Sequence, residues 1–153
     1  VSGDTVFATT AYDSTAGGSF LYAFNAATGE QKWKIPGKSS FMSPHAAPGT
    51  PVTVMDASGA IWAFSQSDGS LQWSKPGSGT LFTEPQGSGP RFVTGGYRGV
   101  VGLISAAGRA DFVVENGHLF VSPLLTPSGS DGARAAVLIA DTRGSLFRLA
   151  FPE

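Results

Sequence analysis

No cysteine occurs in the 153 residues, which excludes a disulfide scaffold and leaves the compartment open. Charge is scarce as well. Only 14% of residues are Asp, Glu, Lys or Arg and the net charge is −1, so nothing marks a polyanion or an anionic membrane as a partner. No apolar run approaches the roughly eighteen residues that a membrane-spanning helix needs. No stretch carries the periodicity of a long amphipathic helix either. Imidazole is limited to His45 and His118, neither in metal-ligand spacing with a carboxylate near, and both read as surface or loop residues. Ser43, His45 and Asp56 could be drawn as a hydrolytic trio, but no nucleophile-elbow pattern surrounds the serine. The polar loop at Asp13, Ser14 and Thr15 offers one carboxylate, against the roughly six to eight oxygens that Ca²⁺ takes. The residues therefore supply no catalytic, cofactor-binding or metal set.

What the chain does have is glycine, 21 residues of it, 10 prolines, and a repeat. AFNAATGEQKW from Ala23 and AFSQSDGSLQW from Ala63 close on Trp33 and Trp73, forty residues apart. Periods in this range mean propellers, solenoids or arrays. Two further copies are worn: Gly108 and Phe112 stand where Gly and Trp would be in the third, and Tyr22 and Trp62 align with Gly102 and Phe147. Each copy reads as four short strands. The first gives FMSP at Phe41, LFTEP at Leu81 and LFVSP at Leu119; the second gives VTVMDASG at Val52, RFVTGGYRG at Arg91 and AVLIADTRG at Ala136, with VFATT at Val6 standing for the first copy. The third gives FLYAFN at Phe20, AIWAFS at Ala60, VVGLIS at Val100 and SLFRLA at Ser145, and the fourth carries the Trp. These segments are rich in β-branched and aromatic residues and bounded by Gly, Asp, Asn and Ser clusters, as in an antiparallel meander. Gly29 and Gly69 supply the positive φ of tight hairpins.

Four strands in forty residues are one propeller blade. The expected fold is an all-β propeller of four-stranded blades, with about 3.5 to 4 blades present as a partial ring. The blades are expected at residues 1–37, 38–77, 78–117 and 118–153 of a single segment. A blade is a twisted sheet whose faces stay uncovered until a neighbour stacks on them. An indole on one strand fills that gap, and Ala23 or Ala63 leaves room for it. Burial of one such ring contributes about 3 kcal/mol, so the tryptophans are read as struts between blades.

Ala23, Asn25, Thr28, Gly29 and Trp33 match the pattern Ala-x-Asp-x-x-Thr-Gly-x-x-x-Trp, with Asn25 in place of Asp. Ala63, Asp68, Gly69 and Trp73 follow it with Ser65 for Asp and Asp68 for Thr. This resembles the tryptophan-docking motif of the pyrroloquinoline quinone (PQQ)-like β-propeller family, and implies that each Trp docks on the backbone of the adjacent blade. The family includes quinoprotein dehydrogenases, which hold their quinone with a vicinal Cys pair, a stacking Trp and Ca²⁺. With no cysteine and no matching ligand set, no cofactor is expected. The chain is more similar to non-enzymatic members such as the BamB-type outer-membrane assembly lipoproteins. The resemblance implies a non-catalytic scaffold for protein contact or assembly in an extracytoplasmic complex, in the periplasm or at the cell surface. Abundant Ser, Thr and Gly with few charges agree with that setting, and a start at Val1 fits signal-peptide removal or truncation. Two alternatives stand beside it: a fragment or subunit of a PQQ-dependent dehydrogenase whose cofactor site lies in further blades, and a carbohydrate-binding propeller of the cell surface, which needs exposed aromatics in a groove, whereas Phe41, Phe82 and Phe120 align as well with a buried strand. A partial ring calls for completion by the rest of a longer chain, by another polypeptide, or by a second copy through a two-fold axis. Arg98 and Arg143, each just before a turn glycine, are the candidate partner contacts, and the insertion at Pro127 is a further recognition loop.

Overall fold

The fold is known from a computed structural model, which describes residues 1–15, 17–76, 86–88, 91–95, 100–105, 110–115, 124–126, 136–141 and 143–150. Among these residues the regular structure is entirely strand. The first unit, Val1–Ser78, holds two three-stranded sheets. One runs β1 (Thr5–Thr9), β2 (Ser19–Asn25), β3 (Gln31–Gly37); the other runs β4 (Val52–Met55), β5 (Ile61–Phe64), β6 (Leu71–Lys75). The second unit, Gly79–Glu153, holds a four-stranded sheet of β7 (Gln86–Ser88), β8 (Arg91–Gly95), β9 (Val100–Ser105) and β10 (Ala110–Glu115). It also holds a three-stranded sheet of β11 (Leu124–Thr126), β12 (Ala136–Ala140) and β13 (Leu146–Ala150). Every pairing is antiparallel between strands adjacent in sequence, which gives four meanders in chain order.

Burial alternates along β1 and β2, because successive side chains of a strand point to opposite faces. One face of the first sheet carries Phe7, Leu21, Ala23 and Trp33, and these close a core with Phe41, Val52, Val54 and Phe64 of the second. β4 is buried along its whole length, as a strand covered on both faces must be. The opposite face of the first sheet bears Phe20, Tyr22 and Phe24, half-buried, with the Lys34 ammonium 3.6 Å from the centre of the Phe20 ring.

The sequence overstates the leading strand of the second copy. FMSP makes no continuous strand; it meets β4 and its exit only through isolated bridges, Phe41 to Asp56 and His45 to Thr53. Pro44, Pro48 and Pro51 lack the N–H a ladder needs, so the pairing is broken into points. In the third copy the pairing strand is β7, at Gln86–Ser88, while the expected LFTEP lies outside the described residues, as does LFVSP at Leu119.

Candidate functional site

The two repeated turns are built alike from different donors and acceptors. In the first, Asn25 Oδ1 accepts the N–H groups of Ala27 and Thr28 at 2.9 and 3.1 Å, and Thr28 Oγ1 accepts that of Glu30 at 3.3 Å. An Asx turn of this kind folds the chain locally. In the second, Ser65 Oγ takes the Ser67 N–H at 3.3 Å, while Asp68 Oδ1 takes both the N–H and the hydroxyl of Ser70 at 3.0 and 2.9 Å. Hydrogen bonding to the Ser65 hydroxyl and then to Ser70 holds the Asp68 carboxyl below its ordinary value. Asp68 thus does for Ser70 what Thr28 does for Glu30. In both turns the glycine N–H returns to the carbonyl four residues earlier, Gly29 to Asn25 and Gly69 to Ser65.

Between the two sheets lies an indole seat. Trp33, 9% exposed, pairs in register with Ala23 and lies 5.7 Å from the Phe7 ring. Its Nε1–H donates to the backbone carbonyl of Gln66 at 3.1 Å, in the turn of the next copy. Gln66 is itself anchored, its amide donating to the carbonyls of Ala47 and Thr50 at 2.8 and 2.5 Å. The ring covers Gly69, where an added Cβ would stand 3.0 Å from Trp33 Cδ2 and 3.1 Å from Ile35 Cδ1. The structure therefore brings Ala23, Trp33 and Gly69 together across the sheet boundary. Ala63 is buried and in register with Trp73, which is half-buried.

The buried carboxylates serve turns. Asp56 Oδ1 accepts the Ser58 and Ala60 N–H groups at 2.9 and 3.1 Å and the Ser58 hydroxyl at 2.5 Å, and Oδ2 accepts the Trp62 indole N–H at 3.0 Å. The carboxylate that the sequence offered beside Ser43 and His45 is thus engaged in closing its own turn and in holding the Trp62 indole. Asp141, also buried, accepts the N–H groups of Arg143 and Ser145, each at 2.9 Å. The sequence analysis missed this role, although its signal is present: Asp-Ala-Ser-Gly at Asp56 and Asp-Thr-Arg-Gly at Asp141 are the same strand exit. Arg143 sits exposed in that turn; Arg98 and His118 lie outside the described residues. Phe41 is buried, which removes it from any open sugar-binding groove, and Phe82 and Phe120 lie outside the described residues. Among the described residues no group of three potential ligands is clustered for a metal ion.

Successive antiparallel meanders, with an indole of one sheet seated on a turn of the next, are the parts of a β-propeller. The family model described as outer membrane protein assembly factor BamB matches residues 1–110, and the chain belongs to that PQQ-like propeller family. No curated protein sequence matches it. Among solved structures it is similar to BamB from Moraxella catarrhalis, with a TM-score of 0.67 and 15% identity over 99% of this chain and 41% of that one. It is similar to the computationally designed Ika4 protein at a TM-score of 0.76 and 11% identity, over 99% of this chain and 88% of that one. A europium-containing methanol dehydrogenase gives a TM-score of 0.59 and 16% identity, over 74% of this chain and 23% of that one. The chain thus spans about two-fifths of the BamB it matches.

Proposed function

We propose that this chain is a segment of a non-catalytic propeller scaffold that works by protein contact or assembly in an extracytoplasmic complex, at the periplasm or cell surface. The observation that carries the reading is the match of residues 1–110 to the BamB family. The chemistry of the first unit agrees: the buried Asp56 carboxylate and the Trp33 and Trp62 indoles are held in structural hydrogen bonds. In this reading each sheet is one blade, with bounds at 1–37, 38–77, 78–117 and 118–153, and the docking set is Ala23, Asn25, Thr28, Gly29 and Trp33, then Ala63, Asp68, Gly69 and Trp73. The ring is completed by the remainder of a longer propeller chain or by a protein partner, with pairing to a second copy as a further route. Arg143 and Arg98 are the proposed partner contacts.

The likeness to a methanol dehydrogenase supports a second reading, a piece of a quinoprotein whose missing blades hold the cofactor. Light scattering on the native assembly, with intact-mass identification of each component, tests the first reading. A particle larger than the 15.7 kDa chain, completed by a polypeptide without quinone, is expected. A stable 15.7 kDa monomer would overturn ring completion, and stoichiometric PQQ with Ca²⁺ in the native material would replace the scaffold by the dehydrogenase.

A further inference from the structure

A second feature of the first unit is a slot of about 130 Å³ where the outer end of β3 meets the second sheet. Ile35, Phe41, Trp62 and Phe64 form its apolar walls, Leu71 stands at its mouth and Lys38 at its rim. The walls are fixed before any ligand arrives. The Trp62 ring is held by its bond to the buried Asp56 carboxylate, and Phe41 is packed so closely under Gly37 that a Cβ there would lie 2.6 Å from its ring. Leu71, in contrast, is 53% exposed although it is a large aliphatic residue.

We infer that this slot receives one large apolar side chain of a protein partner, with a carboxylate beside that anchoring residue. The inference rests on the scaffold reading and names the chemistry of its partner. Size decides the first half: cofactor and small-molecule sites run from about 300 to 1,000 Å³, and this slot takes a leucine- or phenylalanine-sized group but no quinone. Preorganised apolar pockets that swallow a single side chain are where binding energy concentrates in protein interfaces. Charge decides the second half. Among the described residues Lys38 is the one charged side chain lining the slot; it is exposed, while Lys32 of β3 is paired with Asp4. A cation at the rim of an apolar pocket selects an anionic neighbour.

The test titrates the ¹⁵N-labelled full chain with the peptides acetyl-Glu-Leu-Glu-amide, acetyl-Glu-Ala-Glu-amide and acetyl-Lys-Leu-Lys-amide, reading the three indole N–H signals by NMR. The expected result is a saturable shift of the Trp62 signal with the first peptide. Its affinity should exceed that of the other two at least tenfold, with the Trp33 signal unmoved. Leu71→Glu should weaken it at least tenfold while the Trp33 signal reports an intact fold, and Lys38→Glu should reverse the preference between Glu- and Lys-flanked leucine. Equal shifts from the alanine and leucine peptides, or no saturable shift at Trp62, overturn the inference. A native assembly that forms undiminished with Leu71→Glu also overturns it, while leaving the scaffold reading standing; that reading falls to a 15.7 kDa monomer or to stoichiometric PQQ with Ca²⁺ in the native material.

Discussion

Gly29 and Gly69 occupy the same place in successive copies and hold nearly the same backbone, with φ of 72° and 74°, yet their surroundings differ. A methyl at Gly29 meets nothing within 4 Å, whereas at Gly69 it meets the Trp33 ring and Ile35. The repeat glycine therefore has two separable duties. One is local, a left-handed turn that L side chains adopt at a cost. The other exists only where a preceding sheet brings its indole: a surface flat enough to seat it. The comparison separates what a copy does alone from what stacking adds.

The strongest way to break it is at the indole. Trp33→Ala should lower stability by about 3–5 kcal/mol, as for large aromatics removed from a core, read from urea denaturation of the chain; a loss under about 1 kcal/mol would show that the sheets do not depend on each other through this ring. Asp56→Ala should cost about 2–3 kcal/mol, since it leaves several N–H groups and the Trp62 indole without their charged acceptor, with Asp56→Asn recovering part of the loss. Gly69→Ala should cost about 2–3 kcal/mol, the left-handed turn plus overlap with Trp33. Gly29→Ala should cost only about 1 kcal/mol, the turn alone. The sharp form of the comparison is a double variant: combined with Trp33→Ala, the Gly69→Ala penalty should shrink towards that of Gly29→Ala, short of it by what the Ile35 contact costs, and additivity would refute the seat.

How much of this the residues announce varies with the kind of interaction. The period of forty, the strand alternation and the all-β propeller fold are legible, because side-chain pattern writes them directly: Phe7, Leu21, Ala23 and Trp33 share one face by period-two alternation. The leading strand at Phe41 is not, since β propensity in FMSP competes with three nearby prolines that deny the ladder its donors. The resemblance implies that Trp33 docks on adjacent backbone, but the particular seat is not spelled by its residues, for another reason. Its acceptor is the backbone carbonyl of Gln66, and a carbonyl has no letter in the sequence. The register shifts after Ala23 and Ala63 likewise leave no mark beyond the repeat itself. The Asp56 and Asp141 turns were legible in principle, as a recurring Asp two residues before a turn pair ending in Gly, but the third copy breaks the pattern with Gly96.

The smallest expected difference between the copies is one of acidity. The first turn rests on Asn25 and Thr28, which do not titrate, and the second on Asp68. Bonds from the Ser65 hydroxyl and from Ser70 hold the Asp68 carboxyl below 3.8. A carboxylate whose folded pKa is depressed contributes in full above the unfolded value, and that contribution is lost as pH falls through the lower folded one, because the unfolded state takes up protons first. Asp68 is fully exposed, so solvent screens the effect and it is best sought locally. In an NMR titration from pH 5 to pH 2, the Ser70 amide should shift with a midpoint below 3.8 while the Thr28 amide follows no such transition. Asp68→Asn should abolish the Ser70 response and leave the turn closed at every pH, as Asn25 leaves its own. A Ser70 midpoint at or above 3.8, or a response surviving in Asp68→Asn, would mean that the two turns are equivalent in acid and that the exchange of Thr for Asp between copies carries no pH dependence.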